Sequence, residues 1–124
     1  MTTITEDYVS FEIAKLLKEK GFHEVCKCQY GRHGDIGWTP SNNGNVITFA
    51  RPTLQMAMKW LREVHNLHVD IDPSEGDWNP TVLELEDWSC VVKPGDEIPI
   101  QDSYEKACEA AIKYCLENLI CNEI

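Results

Sequence analysis

The chain has 124 residues, 43% of them hydrophobic and 26% charged, with 21 acidic against 11 basic side chains and a formal net charge of −10. This length suits one domain with its own core, and the balance is that of a globular chain, which argues against intrinsic disorder and against dependence on disulfides or a structural metal. The acidity disfavours direct contact with a phosphate backbone, and no window has the apolar length of a membrane span.

The opening "MTTITEDYVS" has no basic region followed by an apolar run, so the expectation is a soluble cytoplasmic protein. Six cysteines in that compartment read as reduced thiols.

The first expected helix covers residues 6–20. Thr5 is its candidate cap, Glu6 and Asp7 suit the positive end of the dipole, and Val9, Ile13, Leu16 and Leu17 form an apolar stripe. Gly21 fits a left-handed C′ position, with Leu17 and Phe22 as the apolar pair of a Schellman ending. Residues 24–30, "EVCKCQY", alternate as a strand does, and the glycine-rich residues 31–44 read as a long loop. "NVITFA" is then a second strand, pairing with the first as a hairpin.

Pro52 or Thr53 opens the second helix. Leu54, Ala57, Met58, Leu61, Val64 and His65 fall on one face, and Asn66 suits a left-handed end. "LHVDID" alternates as a half-buried strand. In "TVLELEDWSCVV" the apolar phase shifts from Leu83 and Leu85 to Trp88, Cys90 and Val92, which a bulge near Glu86 or Asp87, or two short strands, would explain. "KPGD" suits a type II turn. Asp102 and Glu105 read as a capping box opening a last helix to about residue 119, with Tyr104, Cys108, Ala111, Ile112, Cys115 and Leu119 on one face. The fold expected is α+β: an antiparallel sheet of four to five strands with three helices mainly on one face, in the order α-β-β-α-β-β-α.

The chemistry centres on "HEVCKCQYGRHGD", residues 23–35. On a strand, Cys26 and Cys28 project from one face about 6–7 Å apart with near-parallel Cβ directions, a poor geometry for a disulfide. A metal set of His23, Cys26, Cys28 and His33 lacks the C-x₂₋₄-C knuckle of zinc sites, and buried thiols on a core face are the preferred reading. A Cys28, His33 and Asp35 nucleophile set has only sequence adjacency behind it. Cys121 is the candidate exposed thiol. The run "DIDPSEGDWNP" departs from a calcium loop, with Glu75 where the turn needs glycine and Thr81 where the last ligand belongs. Gly31, Gly34 and Gly37 do not lead into a helix, as a phosphate loop would. No cofactor motif is present.

Two candidate contact surfaces follow. One is the 31–44 loop with Arg32, His33 and Trp38. The other is an acidic stripe of Asp70, Asp72, Glu84 and Glu86 on the outer face of neighbouring strands, in a span from residue 70 to 92 that has no Lys or Arg.

Three stretches, "ITEDYVSFEIAKLLKEKGF", "RPTLQMAMKWLREVHNLHVDI" and "SYEKACEAAIKYCLENLI", together resemble a family of small uncharacterised proteins encoded by gut anaerobic bacteria and their prophages and other mobile elements. The resemblance covers about half the chain, omits residues 31–44 and 73–102, and brings no catalytic or binding residues. It implies a compact bacterial cytoplasmic protein with a mobile-element connection. The favoured function is non-enzymatic contact with a basic protein partner, as a monomer or a homodimer, with an acidic mimic of DNA as a special case. The alternative is a small enzyme or ligand-binding domain with a pocket near His33, Asp35 and Trp38.

Overall fold

The computed structural model describes residues 4–120. Helix α1 runs Phe11–Glu19, five residues later than the sequence suggests, and Ser10 caps it by accepting the Ile13 N–H. The residues before it are extended: Tyr8 bridges Thr53, the Val9 N–H reaches Pro52 O at 3.0 Å, and the Leu54 N–H reaches Asp7 O at 2.9 Å. Val9 is fully buried. Such burial contributes about 1.5–3 kcal/mol, while an alternative cap at Thr5 offers about 1 kcal/mol, so tertiary contact sets the start of the helix. Its end follows local rules. Gly21 takes φ 93°, the Phe22 N–H bonds Leu17 O at 2.9 Å, and the Gly21 N–H bonds Lys18 O at 3.2 Å, a Schellman ending with Leu17 and Phe22 both buried.

The first sheet is small. Strands β1 (Gln29–Tyr30), β2 (Ile36–Gly37) and β3 (Phe49–Ala50) lie antiparallel in the order β2-β1-β3. The expected β1–β3 pairing is present, but the expected loop contributes a strand of its own. The expected run from 24 to 30 is in the sheet only at its end, although Cys26 bridges Ser41 and both Cys26 and Cys28 face inward. Val46 and Ile47, read as strand, are exposed.

Helix α2 spans Leu54–His65, capped by the Thr53 side chain and ended by Asn66 at φ 56°. It delivers the chain to the second sheet, β4 (Leu67–Ser74), β5 (Asp77–Glu84) and β6 (Ser89–Val92), antiparallel in that order. Glu75 and Gly76, at φ 50° and 90°, make the two-residue turn between β4 and β5, the left-handed pair that matches strand twist. Pro80 fits within β5 because Trp78 exchanges both backbone hydrogen bonds with Gln101 on the side away from β4. The Pro80 nitrogen lies on that same side, where no ladder partner waits. The apolar phase shift of 81–92 resolves as two strands joined at residues 85–88, with the register irregularity at Val82 and Leu83 instead of at Glu86 or Asp87. Trp88 and Cys90 are exposed, against the core placement their phase suggested.

Helix α3 spans Tyr104–Tyr114, and its cap is Ser103, which accepts the Lys106 N–H; Asp102 pairs instead with the Lys106 ammonium at 3.1 Å. Its buried residues Ala107, Ala111 and Cys115 step by four, and each step overshoots a helical turn by about 40°. A π-helical segment, Cys115–Leu119, widens the last turn and keeps Cys115 and Leu116 both inside, leaving Leu119 only partly buried. The architecture is α+β, but with two three-stranded sheets in place of one larger sheet. Helices α2 and α3 pack on the second sheet and α1 packs on β3 and α3. Phe22, Leu17, Leu61, Ile112, Leu116, Val82 and Val92 fill the shared core.

Candidate functional site

Three segments meet beside the first sheet. The Arg51 N–H bonds Cys28 O at 3.0 Å, which extends the β1–β3 pairing and sets the Arg51 side chain against the 26–30 segment. The Tyr30 hydroxyl donates to Val9 O, and the Tyr8–Thr53 bridge closes the other side. Arg51 consequently sits among three rings: its guanidinium carbon is 4.2 Å from the centroid of Tyr8, 5.3 Å from that of Tyr30 and 5.7 Å from that of Trp38. Trp38 meets Tyr8 edge-on at 6.0 Å, yet remains 69% exposed. Cation–π contacts contribute about 0.5–2 kcal/mol each, so the cluster fixes Arg51 more firmly than a solvent-facing arginine.

One guanidinium nitrogen, Nη1, donates to Cys28 Sγ at 3.5 Å, while Nε is buried with no hydrogen-bond partner. Burial pulls the Arg51 pKa down, but the neighbouring Tyr30 and Cys28 groups outweigh it and the net shift is upward, so the charge is permanent. Beside the cluster opens a cavity of about 210 Å³, walled by Tyr8, Val25, Cys26, Arg51, Pro52 and Met56, with the charged Glu6 and Lys27 also lining it. His33, Asp35 and Trp38, where a pocket was anticipated, do not line this one.

The residues of "HEVCKCQYGRHGD" separate. Cys28 is fully buried, its thiol set between the Arg51 carbonyl and guanidinium. Cys26 is buried, and desolvation, reinforced by Cys28 and Glu24, pushes its pKa up to about 11, which leaves a protonated and unreactive thiol. His23, Arg32 and His33 are exposed. Asp35 folds over the turn: a Cβ on Gly31 would sit 2.6 Å from both of its carboxylate oxygens. Among the described residues no group of three His, Cys, Asp or Glu side chains could hold a metal ion. Cys90 is the exposed thiol among the described cysteines, and Cys121 lies outside the described residues.

The acidic residues also divide. Direct partners across an antiparallel pair share a face, so Asp70 opposite Thr81 and Asp72 opposite Asn79 lie on one face of the second sheet. Glu84, opposite Leu67, lies on the other face, the one that carries Val69 and Val82. Its carboxylate accepts the N–H groups of Glu86 and Asp87, at 3.1 Å each, and so shapes the β5–β6 turn. Glu86 belongs to that turn and is exposed. What gathers with Asp70 and Asp72 is the hairpin end: positions 72–77 are exposed in both phases of the strand, which brings Glu75 and Asp77 into the same solvated acidic tip.

Arg51 and the hairpin end were not legible as sites. Tyr8, Tyr30, Trp38 and Arg51 share no local spacing, and "PSEGDWNP", which reads as an eight-residue turn, is in the structure a two-residue turn at Glu75 and Gly76 with both strands running into it. Among the described residues no helix is long and apolar enough to cross a membrane. No family model, no curated protein and no solved structure matches this chain.

Proposed function

We propose that the protein works by non-catalytic contact, engaging a basic surface of a partner protein with the acidic end of its β4–β5 hairpin. The observation that supports this is the exposure pattern: from 72 to 77 both faces of the hairpin leave the body, and Asp70, Asp72, Glu75 and Asp77 stand there with no Lys or Arg between residues 70 and 92. A hairpin free on both faces can enter a groove, and its single sign of charge steers it to a basic one and away from phosphate backbones. In the mobile-element setting that the resemblance implies, that surface belongs to a host or phage protein.

The experiment is affinity capture of the partner from bacterial cells, followed by Kd measurement with purified components. The quadruple variant D70N/D72N/E75Q/D77N is compared with the wild type at low and high salt. The wild-type complex weakens as salt rises, and the variant binds about tenfold or more weakly with a flatter salt dependence. A captured partner whose affinity ignores both the substitutions and the salt would refute the assignment to the hairpin.

A further inference from the structure

We infer that the cavity beside Arg51 is a binding site for a small carboxylate that carries a short apolar chain. The inference is independent of the hairpin, which lies on the other sheet.

Two features of the cavity point to that chemistry. The first is Arg51: it lines the cavity, and its guanidinium is held by Tyr8, Tyr30 and Trp38. Arginine is the side chain whose planar fork best matches a carboxylate, and it stands here as a fixed cation in the cavity wall. The second is the wall. Tyr8, Val25, Pro52 and Met56 are apolar or aromatic, and Val25 is 70% exposed and Met56 39% exposed, so apolar surface is open to a ligand beside the charged side chains.

The charges agree in sign and set the limits. Arg51 and Lys27 against Glu6 leave the wall at +1, in a molecule of net charge −10. The N-terminal turn of α2, capped by Thr53, borders the same space and adds the positive end of its dipole. Glu6 opposes a ligand with several negative charges, so a monoanion fits better than a phosphate. The volume of about 210 Å³ is below the range of about 300–1,000 Å³ typical of drug-sized sites, which selects a short chain. Such a group is found on a free aliphatic acid and at the C-terminus of a peptide ending in an apolar residue.

The test follows the backbone amide and arginine Nε–H NMR resonances of the full chain during titration with hexanoate, hexan-1-ol, inorganic phosphate and N-acetyl-alanyl-leucine, with and without a C-terminal amide. Hexanoate should shift the Arg51 Nε–H and the amides of Lys27, Thr53 and Met56 saturably, while hexanol and phosphate should not. Two exposed positions give opposite signs without disturbing the core: Lys27→Gln weakens hexanoate about two- to fivefold and Glu6→Gln strengthens it by a similar factor. Tighter binding of the free-acid dipeptide than of hexanoate, lost on amidation, assigns the site to a peptide C-terminus; the reverse order assigns it to a free acid. The inference is overturned if hexanoate gives no saturable shift, if hexanol or phosphate matches it, or if neither charge substitution moves its affinity.

Discussion

Position 43, within the segment that joins β2 to β3, carries a buried asparagine in the left-handed region, φ 67°. Its Nδ2 donates to Phe22 O at 2.8 Å and its Oδ1 accepts the Ala50 N–H at 2.6 Å, so one amide joins the end of α1 to β3. Sequence alone shows "SNNG" as loop chemistry and cannot say which asparagine turns inward, because the two groups it satisfies come from 21 residues before it and 7 after. Asn43→Ala leaves a buried carbonyl and a buried N–H without partners and forces alanine into a strained backbone. At about 1–3 kcal/mol for each orphaned group, with about 1 kcal/mol more for the backbone, a loss of about 3–7 kcal/mol is expected in urea unfolding. Asn43→Gly, which relieves only the backbone, should recover about 1 kcal/mol of it. Full recovery by glycine would mean that the hydrogen bonds contribute nothing.

At the scale of elements, α1 and α3 are joined by two carboxylates whose pKa values are pushed in opposite directions. Glu12 pairs with Lys113 at 2.8 Å on the surface, and that lysine holds its carboxyl below the usual range. Glu109 accepts the Ser10 N–H at 3.2 Å from a half-buried position, and desolvation pushes its carboxyl above the ordinary value of 4.5. A carboxyl raised in the folded state binds its proton more tightly there than in the unfolded chain. Its contribution to stability is therefore present below 4.5 and is lost as pH rises through the folded value. Glu109→Gln keeps an acceptor for Ser10 and never ionises, so it should unfold at higher urea than the wild type near pH 7, with the gap closing near pH 4. A gap that stays constant with pH would mean that burial of Glu109 is not what distinguishes the two proteins. Elements with strong local signals were legible: the face of α2, where Leu54, Ala57, Met58 and Leu61 are buried although Val64 is exposed and Trp60 takes a core place, its terminal asparagine, the Schellman ending of α1 and the turn at Pro94 and Gly95, where the Asp96 N–H bonds Lys93 O at 3.1 Å. The division into two sheets was not. Strands of two residues, as in β1, β2 and β3, are too short to show a period, and the late start of α1 is set by contacts of the residues before it with residues 52–54.

Across the whole molecule, charge is separated by element. The first sheet carries the fixed cation Arg51 among its rings, while the hairpin end of the second carries Asp70, Asp72, Glu75 and Asp77 in solvent. With a net charge of −10, the folded state holds these like charges closer together than the unfolded chain does, and their repulsion acts against folding. Exposed charges are screened over about 10 Å at 0.1 M salt, so this penalty is the part of the stability that salt should remove. Urea unfolding of the wild type should move to higher midpoint as sodium chloride rises from low to moderate concentration. The variant D70N/D72N/E75Q/D77N should start about 1 kcal/mol more stable at low salt and respond less to its addition. Because the hairpin end lies off the core, the slope of the urea transition should be the same for both proteins. Equal salt responses would place the repulsion elsewhere on the surface, and a less stable variant would show that the acidic tip makes folding contacts beyond those of its turn. The expected result would mean instead that the hairpin is held at a cost to stability, which is the pattern of a surface kept for contact.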